Sequence, residues 1–308
     1  MPELPEVETT KTSLTPLLGQ RITDINVFQP KLRWAMPDDL DKLVDYVLDR
    51  VERRAKYLIL NFSSSFSSPH PQADRPKTHQ LLIHLGMSGS LQKLNYGTDK
   101  RKHDHLVIEF TDVDDKKSQL HYYDPRRFGS VLWYEDYGSK LLDHLGPEPL
   151  SDAFTPDYLY HFIQRTKSTD KNKAAETRVP NKPSRPITRP IKSVIMEQQV
   201  VVGVGNIYAT ESLYLSGIHP ATPAHHLSYD QITVLVGHIK VILQKAIKLG
   251  GSTLRDFTVA DGQTGYFQQT LNVYGRQGEA CLHCTTVLEN VKLNGRASVY
   301  CAKCQPLI

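Results

Sequence analysis

Proline at position 2, followed at once by Glu3, is the first place in this chain where residue types combine into chemistry. Once the initiator Met1 is removed, the terminal nitrogen is a secondary amine with a carboxylate beside it. An α-amino group titrates near ~8, against about 10.4 for a lysine side chain, so far more of it is free base at neutral pH. Attack by such a nitrogen on a sugar C1′ would give an iminium, an electron sink that makes the neighbouring C–H bond acidic. Glu3 stands one residue away to carry protons, and Glu6 and Glu8 would fall in the first turn of a helix entered through Pro5. The same residues suit a helix N-terminus whatever the chemistry, because proline is preformed for the first helical positions and acids complement the helix dipole. From these eight residues alone, both readings stand.

The second constellation closes the chain. All four cysteines lie in the last 28 residues, as Cys281-x2-Cys284-x16-Cys301-x2-Cys304. Two C-x2-C pairs at this separation fit a tetrahedral zinc site, and four thiolates leave no position open for a catalytic water, so one Zn2+ would be structural. A pair of disulfides is the competing reading, disfavoured by cysteines only two residues apart in a chain without a secretion leader.

These groups need elements to hold them. Residues Pro5 to about Leu18 read as a helix, with Val7, Leu14, Leu17 and Leu18 near one face, Pro16 bending or ending it early and Gly19 stopping it. Short runs of strand character follow at Arg21–Phe28, Lys31–Trp34, Arg54–Phe62, Gln80–Leu85, His105–Phe110, Gln119–Tyr123 and Ser130–Tyr134, which together predict a β-sandwich whose loops carry the chemistry. In the run from Arg54, period two puts Lys56 and Leu58 on the face opposite Ala55, Tyr57 and Ile59, which makes Lys56 either a ligand contact or a strand-edge charge. The pattern then turns helical. Gly205-Asn206 opens one helix through Ser216, and Ser228-x2-Gln231 makes a capping box ahead of the apolar stripe Ile232, Leu235, Val236, Ile239, Ile242, Leu243 and Ile247. The class is α+β: an N-terminal helix and β-sandwich over residues 1–150, a linker and helical domain over 151–274, and a zinc finger over 275–308.

Composition sets the bounds. With 308 residues, 39% hydrophobic and 23% charged, the chain has room for two domains of ordinary globular make-up. No apolar run approaches the roughly 18 residues of a membrane span, which predicts a soluble, cytoplasmic protein. A net charge of +4 is weak evidence for a polyanionic partner, but its distribution is uneven. From Arg165 to Gln199 nine basic residues face Asp170, Glu176 and Glu197, so this segment carries +6 and the remainder sums to −2. A polyanion would meet one basic segment on a near-neutral body.

Taken together, Met1-Pro2-Glu3-Leu4-Pro5-Glu6-Val7-Glu8, Arg53-Arg54-Ala55-Lys56-Tyr57-Leu58, His84-Leu85-Gly86-Met87-Ser88-Gly89-Ser90-Leu91, Asp124-Pro125-Arg126-Arg127-Phe128-Gly129, Val202-Gly203-Val204-Gly205-Asn206-Ile207-Tyr208-Ala209 and the cysteine unit resemble the formamidopyrimidine-DNA glycosylases, bacterial repair enzymes for oxidised purines. The likeness runs almost end to end. Two segments interrupt it, the Ser- and Pro-rich stretch 63–79, which reads as a surface hairpin extension, and the polar linker 167–190.

The resemblance implies a bifunctional enzyme in which Pro2 is the nucleophile and Glu3 the proton carrier. It assigns Lys56 to phosphate binding and the first elimination, and Arg296, in the turn between the cysteine pairs, to the second. A glycosylase must swing its target nucleotide out of the duplex, at a cost of a few kcal/mol, and something must fill the hole. Met87 and Phe128 match the family's apolar wedges, and Arg126 the residue that meets the orphaned cytosine. The resemblance further places His103, Arg127 and Asn206 at phosphates around the lesion; His84 is a further candidate DNA contact, and Arg189 and Lys192 complete the basic segment, either touching the strand or only solvating that segment, while Glu197-Gln198-Gln199 departs from the family's usual Asp-Gln-Lys. The two helices from Asn206 and Ser228 resemble the family's helix-two-turn-helix clamp, and the loop Val259 to Phe267 corresponds to its cover over the flipped base.

Three alternatives bear on these assignments. His103-Asp104-His105, with His121 and His144 further on, invites a metal reading, but alternating histidines in a strand face opposite sides, which suits one at the DNA and one packed inward. The endonuclease VIII branch of the superfamily, selective for oxidised pyrimidines, is the rival assignment, and Leu4, the second Arg-flanked wedge and the full Asp-Pro-Arg-Arg-Phe-Gly favour the purine branch. A silent zinc-finger DNA binder would not need Pro2, Glu3 and Lys56 together. The expected partner is damaged double-stranded DNA, met by a monomer without an obligate protein partner.

Overall fold

The computed structural model describes residues 2–64, 77–166, 185–250 and 271–308. The loop from Val259 to Phe267, most of the stretch 63–79 and most of the linker 167–190 lie outside the described residues. Two compact units divide the chain: the first runs to His144, and the second spans Leu145–Lys248 and resumes at Gln269. Among the described residues no helix is long and apolar enough to cross a membrane.

The first unit opens with α1 (Leu4–Ser13). Glu3 caps it through a reciprocal capping box with Glu6, and Leu4 and Val7 are fully buried. The helix stops at Ser13 because Pro16 has no N–H to offer the Thr12 carbonyl, which accepts instead from the Thr15 hydroxyl at 2.7 Å. A 3-10 turn, Thr15–Leu17, follows and buries Leu14 and Leu17, while Leu18 stays exposed. Gly19, at φ +80°, then turns the chain into the sheet.

Eight antiparallel strands follow: β1 (Arg21–Val27), β2 (Tyr46–Arg54), β3 (Tyr57–Ser64), β4 (Thr78–His84), β5 (Ser90–Asn95), β6 (Asp104–Thr111), β7 (Lys117–Tyr123) and β8 (Ser130–Trp133). Their order is β5-β7-β6-β1-β2-β3-β4-β8, and the halves join at one residue pair, Arg21 with Val47. Leu106, Ile108, Phe110 and Leu120 from one half share a single buried cluster with Leu58, Leu60, Phe62, Leu81 and Ile83 from the other. The halves therefore face each other as the two layers of a sandwich around one core. Lys31–Trp34 is not a strand; only an isolated bridge, Lys31 to Ala35, forms there. The run expected from Arg54 to Phe62 is broken at Ala55 and Lys56, which form the turn between β2 and β3 with Arg54 paired to Tyr57. The unit ends in α2 (Tyr134–Leu142).

The second unit is built on α3 (Pro156–Gln164), α4 (Ile191–Ile195), α5 (Asn206–Leu215) and α6 (Tyr229–Lys248). The expected cap of α6 is present: Ser228 N–H donates to Gln231 Oε1 at 2.9 Å and Gln231 N–H to Ser228 Oγ at 3.2 Å. Ile232, Leu235, Ile239 and Leu243 are buried along one stripe of this helix. The hairpin of β9 (Glu289–Leu293) and β10 (Arg296–Tyr300) turns through Asn294-Gly295, both at positive φ, and closes the chain together with the cysteines.

Candidate active site

In the first unit, Pro2 and Glu3 are buried at the start of α1. The Glu3 N–H donates to Glu6 Oε2 at 2.8 Å, and the Glu3 carboxylate accepts the Glu6 backbone N–H, so the residue beside the proline has one fixed orientation. A guanidinium then joins helix to sheet. Arg53 donates through Nε to Glu8 Oε2 at 2.6 Å and through Nη1 to the Ala55 carbonyl at 3.0 Å. Burial pushes the Glu8 carboxyl up, but Lys11 and Arg53 outweigh it and hold the group below the ordinary value. Arg53 thereby fixes the turn that carries Lys56. Ala55 sits there at φ +54°, unusual for a residue with a Cβ, and Lys56 is buried. Reading the sequence as one strand through Lys56 missed this, and the bridging parts of Arg53 and Glu8 with it.

His84 lies beside Tyr57, ring centroids 4.8 Å apart, and its Nδ1 accepts the Gly86 N–H at 3.0 Å. Burial, and the nearby Lys56 and Arg33 charges, push His84 down to about 4, so the imidazole is neutral at physiological pH. His84 is therefore a lock on the turn at Gly86 and offers no charge to a phosphate.

Two turns pack backbone to backbone beyond it. A Cβ on Gly86 would lie 2.5 Å from the Gly129 nitrogen and 2.5 Å from the Phe128 carbonyl carbon, so glycine is required for the approach. Asp124, fully buried, holds the pair: Oδ2 accepts the Gly129 N–H at 2.9 Å and Oδ1 accepts the Ser88 hydroxyl at 3.0 Å. Ser88 Oγ accepts Arg126 Nε at 3.1 Å, and Arg126 Nη2 donates to the Met87 carbonyl at 2.8 Å. One polar web thus fixes the backbone under Met87, Arg126 and Phe128, while the Met87 and Phe128 side chains stand 39% and 49% exposed. Apolar side chains held outward on a rigid base do not serve this unit's core. Arg127 is exposed beside them in the left-handed region.

His103 is partly exposed, its ring 5.9 Å from Tyr123, while His105 is buried with Nε2 2.7 Å from the Asp124 carbonyl. Against the upward push of burial, His121 and Arg101 hold the Asp104 carboxyl well below the usual range. Its oxygens are already taken, which removes the metal reading of His103-Asp104-His105.

The second unit corrects two expectations. Lys192 is 1% exposed, and its ammonium donates to the Ala297 carbonyl at 3.0 Å and to Ser298 Oγ at 2.7 Å, so it braces β10 and does not offer its charge to DNA. Arg189 is exposed but forms a two-pronged ion pair with Glu197, which cancels its charge locally. The basic segment therefore does not present these two residues as one patch. Arg296 is exposed at the first position of β10. Asn206 opens α5, and its Oδ1 has no partner among the described residues.

Cys281, Cys284, Cys301 and Cys304 place their sulfurs within 4.8 Å of one another, and among the described residues no other His, Cys, Asp or Glu group is arranged to hold a metal. Separations of 3.4 Å (Cys284 to Cys301 and to Cys304) and 3.9 Å (Cys281 to Cys304) bracket the ~3.8 Å edge of a tetrahedron of sulfurs about 2.3 Å from a zinc ion. A contact the sequence did not reveal supports the cysteines. Glu211, fully buried on α5, accepts the backbone N–H groups of Asn272, Val273 and Tyr274, each at 2.8 Å, and so anchors the chain leading into the cysteine unit.

Comparison with known proteins decides the family. Residues 1–131 match the formamidopyrimidine-DNA glycosylase N-terminal domain and residues 145–258 that family's H2TH domain. The chain belongs to the formamidopyrimidine-DNA glycosylase family. It is 70% identical over its whole length to the formamidopyrimidine-DNA glycosylase of Psychrobacter arcticus, covering 99% of that protein, and 51% identical to the one from Acinetobacter baylyi, again covering 99%. Among solved structures, a complex of a Lactococcus lactis FPG mutant with a Fapy-dG containing DNA is 31% identical, with a TM-score of 0.80 across 99% of this chain and 100% of that one. A complex of the wild-type Lactococcus protein with an oxidized pyrimidine containing DNA is 32% identical, with a TM-score of 0.79. As a member of the family, the protein is a DNA glycosylase and abasic-site lyase for oxidised purines in base excision repair.

Proposed function

We propose that the reaction runs through Pro2. The Pro2 nitrogen attacks C1′ of an extruded oxidised purine nucleotide, and the bond from C1′ to the base breaks. Glu3 supplies the proton that lets the ring oxygen O4′ leave C1′, giving the open-chain iminium. Loss of a C2′ proton expels the 3′ phosphate, loss of a C4′ proton then expels the 5′ phosphate, and water releases the sugar fragment from Pro2. Lys56 and Arg296 neutralise the two departing phosphates. Met87 and Phe128 fill the vacated space in the duplex, Arg126 hydrogen-bonds the unpaired base opposite, and His103, Arg127 and Asn206 hold flanking phosphates.

The observation that supports this reading best is the Asp124-centred web, which holds two exposed apolar side chains and a guanidinium on one rigid platform. Base extrusion requires such a set. The four cysteines would hold one Zn2+, closed to water and structural, keeping rigid the hairpin that presents Arg296. The matching domain reading is a catalytic sheet domain over 1–150, a DNA-clamping helical domain over 151–274 and a zinc finger over 275–308, in a cytoplasmic monomer.

The test is borohydride trapping on duplex DNA containing 8-oxoguanine opposite cytosine. A covalent adduct at the N-terminal peptide is expected, lost in Pro2→Gly although lesion binding persists. Unchanged excision by Pro2→Gly would refute the role of Pro2, and a strong preference for thymine glycol would move the protein to the pyrimidine branch.

A further inference from the structure

The cysteine cluster is joined to α5 by a side chain outside the ligand set. Tyr214, in the last turn of that helix, places its hydroxyl oxygen 3.2 Å from the Cys281 sulfur. Its ring packs against the small buried cluster of Val273, Leu288, Val299 and the cysteines, so the hydroxyl is held at the sulfur by packing. Cys281 itself is 2% exposed. A cysteine bound to zinc is a thiolate with no proton of its own, so in the metal-bound state the tyrosine O–H must be the donor.

The other sulfurs have different surroundings. Cys301 accepts the Cys304 backbone N–H at 3.4 Å, a contact internal to the Cys-x2-Cys loop, and Cys284 lies 3.4 Å from the hydroxyl of Thr286, its near neighbour in sequence. Tyr214 stands 67 residues from Cys281 and on a different element. Cys284 and Cys304 line an open groove together with Tyr214 itself, Leu282, His283 and Lys303.

We infer that Tyr214 is a positioning residue for the zinc site: its hydroxyl donates to the Cys281 thiolate, stabilises the metal-bound form and slows release of the ion. This rests on the zinc reading given above. The hydrogen bond withdraws charge from the sulfur without displacing it from the metal, and loss of such a partner typically weakens metal binding about 10- to 100-fold. It also joins the metal centre to the helix whose first residue is Asn206 and whose Glu211 grips residues 272–274. Zinc retention and the stiffness of α5 are thereby linked.

Tyr214→Phe keeps the ring and removes only the hydroxyl. Zinc release from the purified full-length holoprotein into excess 4-(2-pyridylazo)resorcinol should be roughly tenfold faster than for the wild type, with unchanged far-ultraviolet circular dichroism. Equal release rates would overturn the inference. Cobalt(II)-loaded protein supplies a measurement that packing alone would not move: without the hydrogen bond the thiolate-to-cobalt charge-transfer band should shift to lower energy, and a band that stays in place also overturns it. Wild-type protein that purifies and reconstitutes without stoichiometric zinc would remove the zinc reading and this inference together, whereas zinc-replete protein indifferent to Tyr214→Phe removes only the latter.

Discussion

Single residues here have functions that their chemical type conceals. His84 sits in a motif expected at the DNA, yet is neutral and occupied with the Gly86 N–H. An imidazole in an unfolded chain protonates near ~6.5, whereas folded His84 resists until about 4. Between those values the unfolded state holds a proton that the folded state refuses, so His84 lowers stability as pH falls through the window and has no such effect above it. At pH 5 the loss should be about 1–2 kcal/mol. His84→Asn, whose amide oxygen can accept the same N–H, should show a smaller fall in melting temperature between pH 7 and pH 5; an equal fall in both proteins would contradict the assignment. Lys192 is the converse case, a cation by type and a brace by position. Lys192→Met leaves Ala297 O and Ser298 Oγ without their ammonium and should cost about 1–3 kcal/mol in urea denaturation. The slope of DNA affinity against salt should not change, because a buried lysine displaces no counterions. A slope shallower by about one would restore it as a phosphate contact.

Elements were legible in the sequence where local rules suffice and illegible where distant partners decide. The capping box at Ser228 and Gln231 and the stripe behind it predicted α6 because every determinant lies within one turn or one face. The strand β2 was missed: of Tyr46–Arg54 only Leu48 is buried, and a bulge between Leu48 and Arg50 breaks the alternation, so the segment reads as charged loop. Strand β5 follows a glycine-bounded turn with Ser90 and Gln92 buried, against the usual polar-out pattern. The buried carboxylates Asp124 and Glu211 and the cation Lys192 have partners up to 106 residues away, which no spacing rule can supply. The paired turns give a sharp test at this scale. Gly86→Ala puts a Cβ against backbone atoms of Phe128 and Gly129 at a φ of +64°, so two turns must separate or strain. The variant should retain binding to undamaged duplex while excision of 8-oxoguanine falls by tenfold or more, about 1.4 kcal/mol or above in transition-state stabilisation. Excision at the wild-type rate would mean that the spacing of Met87 and Phe128 is not what matters.

Over the whole molecule, neither unit holds a complete set of the proposed groups. Pro2, Glu3, Lys56 and the Met87, Arg126 and Phe128 platform belong to the first, whereas Asn206, Arg296 and the four cysteines belong to the second. Each unit buries its own apolar residues, the second chiefly on its helices at Val194, Leu213, Leu235 and Ile239, so damage to one need not unfold the other. If the four cysteines hold the proposed zinc, their unit is the part most dependent on it, since the cluster of Val273, Leu288, Val299 and cysteines is small. Cys301→Ser removes a fully buried member of the proposed ligand set. The variant should lose zinc and bind lesion DNA at least tenfold more weakly, while the sheet signal in circular dichroism and its thermal transition stay those of the wild type. Elimination at a preformed abasic site should suffer more at the second step than at the first, because Arg296 rides on the finger hairpin and Lys56 on the turn between β2 and β3. A Cys301→Ser protein that still yields the doubly eliminated product in wild-type proportion would separate Arg296 from the second elimination and leave the finger a binding element alone.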